Sequence, residues 1–207
     1  MRIVFFGDSV TRSDRDYGVD HKAIGYGAGY VNYIASTLMY ESPEKYDIIN
    51  RGVSSNRVVD LYARIKSDVW NLNPDVVSVL VGINDVWHEI DFKNGVDLER
   101  FEKVYRMIIE DTLKRLPKVR FILCEPFVLK GISTEDNYEE FCEVKKYAEV
   151  AKKLAKEYGA DFVALQGKFD AAAKKHGAAY YLYDGVHPDV AGGKLIADEW
   201  LKVFKGK

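Results

Sequence analysis

The run Val76-Val77-Ser78-Val79-Leu80-Val81 is apolar at all but one position, so a strand built from it has no polar face to turn toward water. Strands of this kind belong in parallel sheets that carry helices on both faces. Strand-like runs are expected at 2–6, 46–50, 75–81, 119–124 and 161–165. They alternate with amphipathic stretches near 29–40, 57–71, 97–116, 138–158, 168–176 and 189–204. The 97–116 stretch has the clearest helical period, with Phe101, Tyr105, Ile108 and Ile109 on one face and charges on the other. Asp97 stands where an N-cap belongs, and Pro117 ends the helix. Strand–helix alternation throughout imposes right-handed crossovers. The expected architecture is one three-layer α/β/α domain over 1–207 with a five-stranded, mostly parallel sheet.

The charge balance removes several partner classes. Thirty basic residues against 32 acidic ones leave a net charge of −2, and no basic stripe marks a nucleic-acid partner. Residues 3–6 are the only apolar run near the start, too short for a signal-peptide core, and no later segment approaches a membrane span. The expectation is a cytoplasmic protein with no membrane partner. Two cysteines, Cys124 and Cys142, form no CxxC pair and agree with a reducing compartment. Fourteen tyrosines and ten phenylalanines leave room for a homo-oligomer without locating its surface.

In sheets of this type, ligands bind beyond the carboxyl ends of the strands. The first strand runs into Gly7-Asp8-Ser9, the second into Arg51-Gly52-Val53-Ser54-Ser55-Asn56, and the third into Gly82-Ile83-Asn84-Asp85. Three polar, glycine-punctuated turns thus converge on one rim. Acyl transfer needs a nucleophile, a base, a group that orients the base, and donors for the oxyanion. Ser9 can be the nucleophile. Of the four histidines, His187 is distinctive, because Asp184-Gly185-Val186-His187-Pro188 lets Asp184 turn back onto its ring. Candidate oxyanion donors are the Ser9 and Gly52 N–H groups and the Asn84 side-chain amide. Asp8 and Asp85 are expected to brace their turns. His21, His88 and His176 are expected on loops or surfaces.

Other chemistries fit less well. A dinuclear metal site would need more histidines at the rim than His187 and His88 provide, so neither a metal nor an organic cofactor is expected. A non-catalytic binding module using the GDSVTRS turn for a phosphate would leave Asp184 and His187 idle. An α/β-hydrolase would need a G-x-S-x-G elbow in mid-sheet, which is absent.

Gly7-Asp8-Ser9-Val10, Gly52, Gly82-Ile83-Asn84-Asp85 and Asp184-Gly185-Val186-His187 resemble, in order, the four blocks of the SGNH (GDSL) hydrolase superfamily. The resemblance implies a flavodoxin-like fold and a metal-free ester hydrolase with Ser9, Asp184 and His187 as its catalytic residues. It also implies an oxyanion hole from the Ser9 N–H, the Gly52 N–H and Asn84. Val10 stands in place of the signature leucine, and Ser55 where a second glycine often follows the serine of the second block. GINDVW at 82–87, AIGYGAGYV at 23–31 and VHPDVAG at 186–192 are similar to the carbohydrate-esterase branch, intracellular acetylxylan esterases in particular. That similarity implies a small-molecule acyl ester such as an acetylated xylo-oligosaccharide, with Trp87, Tyr26, Tyr30 and Asn56 at the sugar. A lysophospholipase or thioesterase acting on longer acyl chains is the alternative.

Overall fold

The structure is a computed structural model and describes residues 1–206. In chain order its elements are β1 (Arg2–Gly7), α1 (Ser9–Arg12), α2 (Ala23–Tyr26), α3 (Tyr30–Glu41), β2 (Asp47–Gly52), α4 (Val58–Asp68), β3 (Val76–Leu80) and α5 (Ile83–Phe92). These are followed by α6 (Leu98–Arg115), β4 (Arg120–Cys124), α7 (Tyr138–Phe141), α8 (Val144–Tyr158), β5 (Asp161–Val163), α9 (Gln166–His176) and α10 (Val190–Phe204). All strand pairs are parallel, in the order β2-β1-β3-β4-β5. The chain moves outward from β1 to β2 and then crosses back to β3. The switch of direction therefore opens a crevice at the carboxyl ends of β1 and β3.

Helices α3 and α10 pack together on one face, and α4, α6 and α8 form a row on the other. Burial on both sides explains the apolar strands: Ile3, Val4, Phe5 and Phe6 are all fully buried. The one polar residue of β3, Ser78, accepts a hydrogen bond from the Trp200 indole N–H at 2.9 Å, so it enters the core satisfied. Trp200 also packs on Phe5, with ring centroids 5.1 Å apart. Asp97 caps α6 by accepting from the Arg100 N–H at 2.9 Å. Among the described residues, no helix is long and apolar enough to cross a membrane.

Three departures from the expected elements affect the site. The stretch after β3 is a ten-residue helix, α5, where a turn is expected. It enters through Gly82 at φ 138°, with no side-chain cap to announce it. The long stretch 138–158 breaks into α7 and α8 at Cys142–Glu143. Between β1 and α3, where no element is expected, lie the short helices α1 and α2.

Candidate active site

Asp8 ends the β1 turn by accepting the Val10 N–H at 2.9 Å, which makes it the N-cap of α1. Ser9 is therefore the first helical residue, and its N–H has no intrahelical acceptor. Burial pushes the Asp8 carboxyl up to about 7, against the pull of its Val10 bond and the nearby His187.

The segment after α9 is closed by an antiparallel bridge between Leu182 and Pro188. Inside that turn, Asp184 Oδ1 accepts the N–H groups of Val186 (2.9 Å) and His187 (2.7 Å). Its Oδ2 lies 2.7 Å from His187 Nδ1. The other ring nitrogen, Nε2, lies 2.9 Å from Ser9 Oγ. Burial favours the neutral imidazole, but the bond and charge of Asp184 outweigh it, and His187 titrates above the ordinary histidine value. Burial also penalises the Asp184 carboxylate, yet its three hydrogen bonds from Val186 and His187 hold it below the usual range. An ionised carboxylate thus fixes the Nδ1–H tautomer and leaves Nε2 free to take a proton from Ser9.

Asn84, in the first turn of α5, is buried. Its Nδ2 donates to the Asn56 carbonyl at 3.1 Å, and its second amide N–H remains available. Behind it, Asp85 accepts the Val58 N–H at 3.0 Å, and burial pushes its carboxyl up to about 8. Arg64 ties the turns together. It donates to Gly7 O and Arg51 O, both at 2.9 Å, to Asn56 Oδ1 at 2.6 Å, and to Asp68.

Four sequence-picked residues occupy places other than those expected. The Gly52 N–H donates to Asn50 Oδ1 at 2.8 Å, so it is spent inside the fold. This glycine serves close packing: a Cβ there would lie 2.1 Å from the Arg12 nitrogen. Two residues of that loop, Ser54 and Ser55, line a cavity with Ser9 and Asn84, and Ser55 takes a positive φ of 65°. Tyr30 and Tyr26 are 1 % and 6 % exposed and belong to the core; the Tyr30 hydroxyl pairs with Thr11. The Asn56 side chain accepts from Arg64, and Asn56 lines neither cavity that reaches Ser9.

Trp87 lines a cavity with Ser9. Two cavities meet at Ser9, Ser54 and His187. One, of about 280 Å³, is bounded by Ser55, Asn84, Trp87 and Phe92. The other, of about 350 Å³, is bounded by Arg12, Asp14, Tyr183 and Asp189. Sequence reasoning misses Ser55, although Asn50 two residues before Gly52 is the pattern of an Asx turn and signals that the Gly52 N–H is taken.

The GDSL-like lipase/acylhydrolase family model matches residues 5–195. The chain belongs to this family. Over 97 % of its length it is 34 % identical to an acetylxylan esterase of Geobacillus stearothermophilus, covering 92 % of that protein. A crystal structure of the Geobacillus esterase superposes with a TM-score of 0.86 at 33 % identity, over 97 % of this chain and 92 % of that one. A protein described as a GDSL-like lipase of Parabacteroides merdae superposes with a TM-score of 0.93 at 36 % identity, over 100 % of this chain and 96 % of its own. The chain is thus a carboxylic ester hydrolase of the GDSL family, and its five-stranded α/β sheet is the fold of its neighbours. Solved variants of the Geobacillus esterase described as catalytic mutants replace a serine, an aspartate and a histidine, the last two three positions apart.

Proposed function

We propose that this family member removes acetyl groups from a carbohydrate, with acetylated xylo-oligosaccharides as the substrate class, through an acyl-enzyme on Ser9. His187 Nε2 takes the Ser9 proton as Oγ attacks the ester carbon. The Ser9 N–H, the Asn84 amide and the Ser55 N–H, in place of Gly52, donate to the oxyanion. The imidazolium, held by Asp184, protonates the departing alcohol, and water then repeats the sequence to release acetate. The observation that carries this reading is the unbroken Asp184–His187–Ser9 line, at 2.7 and 2.9 Å. The acetyl and sugar parts draw support from the Geobacillus relative, whose catalytic variants alter a serine and an aspartate and histidine three positions apart, the spacing of Asp184 and His187 here.

The test combines active-site labelling with a chain-length series. A fluorophosphonate should label Ser9 in the wild type and not in Ser9→Ala. Aryl acetates should be hydrolysed faster than aryl octanoates, and acetylated xylo-oligosaccharides should release acetate. Labelling at another residue would remove the mechanism. A preference for octanoyl esters would favour the long-chain acyl hydrolase reading.

A further inference from the structure

We propose that the cavity on the Arg12–Tyr183 side of Ser9 is the leaving-group subsite, shaped to hold one neutral pyranose ring of the alcohol product. The assignment rests on the ester hydrolysis proposed above and adds where the alcohol half is held and by which side chains.

A tetrahedral intermediate on Ser9 has three further substituents to place. Asn84 and Ser55 line only the smaller cavity, so the carbonyl oxygen turns that way. Trp87 and Phe92 then offer apolar walls to the acyl carbons. The departing oxygen must lie near His187 Nε2 to receive its proton. His187 is shared with the larger cavity, which is left for the alcohol.

Tyr183 stacks on the His187 ring, with centroids 5.8 Å apart and planes 19° from parallel, and it is 56 % exposed. An open aromatic ring beside the proton donor suits the C–H face of a sugar. Arg12 supplies polar contacts. Its Nε–H is buried with no partner, and Nη1 makes only long contacts, 3.3 Å to Ser54 Oγ and 3.4 Å to Asp14. A guanidinium carries five N–H donors, so this one has donors to spare for hydroxyls.

Asp14 and Asp189 line the same cavity and offset the Arg12 charge, so nothing there selects a carboxylate or a phosphate. Donors and acceptors side by side match hydroxyl groups, which both donate and accept. The wall is also held under strain. Ser13 and Asp14 are consecutive non-glycine residues at φ 38° and 58°, a feature that gathers where ligands are clamped.

The experiment measures xylobiose binding by calorimetry, and its inhibition of ethyl acetate hydrolysis, for the wild type, Tyr183→Ala, Tyr183→Phe and Arg12→Met. Folding of each variant is checked by its thermal transition. Xylobiose should bind the wild type and inhibit competitively. Tyr183→Ala and Arg12→Met should each weaken it about tenfold, the equivalent of one lost stacking or hydrogen-bonding contact. Tyr183→Phe, which keeps the ring, should retain most of the affinity. Tyr40→Ala, at an exposed position that lines neither cavity, should bind as the wild type does. The proposal is overturned if xylobiose does not bind, if it binds the Tyr183→Ala and Arg12→Met variants unchanged, or if digalacturonate binds more tightly than xylobiose. Calorimetry needs no turnover, so failure of the subsite and failure of the reaction are told apart. Xylobiose binding without acetate release from acetylated xylobiose would sink the substrate proposal and leave the subsite standing.

Discussion

Arg64→Met is expected to separate the support of the oxyanion hole from its chemistry. The guanidinium lies 4.6 Å over the Phe6 ring and donates to Gly7 O, Arg51 O, Asn56 Oδ1 and Asp68. Methionine keeps most of the aliphatic stem over Phe6 and removes every donor. Gly7 O retains the Val53 N–H at 3.0 Å, and Asp68 has some access to water. Arg51 O retains the Gly7 N–H of the β1–β2 ladder, so the uncompensated loss is at Asn56 Oδ1. A hydrogen bond from a charged donor contributes about 1.5–3 kcal/mol, and the folded state should lose about that much. In a chain of this size that corresponds to a fall in Tm of about 3–12 °C. Catalysis should fall as well, because the Asn56 carbonyl positions the Asn84 amide at 3.1 Å. The ceiling is the loss of one oxyanion donor, about 10²–10³ in kcat. The decisive assay is a double-mutant cycle with Asn84→Ala, measuring kcat on ethyl acetate and Tm by calorimetry. On the Asn84→Ala background Arg64→Met should cost little further kcat while its full stability loss persists. Losses in kcat that multiply, or an Arg64→Met enzyme with wild-type kcat, would refute the coupling.

Three further outcomes rest on the same contacts. Activity should rise with pH as His187 loses its proton, with a midpoint above the ordinary value of about 6.5 because Asp184 favours the imidazolium; Asp184→Asn should move the midpoint of the kcat/KM profile downward, and an unmoved midpoint would contradict the pairing. Burial holds the Asp85 carboxyl protonated up to about 8, whereas the unfolded chain releases that proton near about 3.9. The native state thus binds the extra proton between those values, stability falls as pH rises across that window, and Asp85→Asn should flatten the fall in urea midpoints between about pH 5 and 8. Ser55→Val places a β-branched residue at φ 65° and should cost about 1–2 kcal/mol together with a drop in kcat; an unchanged melting curve and kcat would show that this backbone position is not constrained.

The sheet is legible in the sequence because each strand is a short apolar run between turn residues, and a chain that alternates in this way has few other ways to bury them. The Asp184–His187 contact is legible because it is local: both residues sit in one five-residue turn that ends at Pro188. What the sequence hides is set by contacts between distant segments. Tyr30 looks like a rim aromatic until Thr11 takes its hydroxyl in the core. Gly52 looks like the free donor until the Asn50 side chain claims its N–H. Helix α5 is hidden because its entry at Gly82 carries no capping side chain, and Trp87 gains its place on the cavity from that helix. Arg64 has no motif at all, since its meaning lies in three carbonyl and amide oxygens drawn from β1, β2 and the loop before α4.

The bond between Ser9 and His187 joins residues 178 positions apart, and the turn that carries the histidine is closed by the Leu182–Pro188 bridge and by backbone bonds to Asp184 and Gly185 from Ser133 and Leu129. The Asp184–His187 pair is local, but the serine it serves comes from the opposite end of the chain. A nascent chain can complete β1, its first crossover and the Asn84 turn, and still possess a serine with no base. Contacts of such long sequence separation form late and slowly. Hydrolytic activity in this protein is consequently a readout of finished folding, and its recovery after dilution from denaturant should lag the return of helical signal.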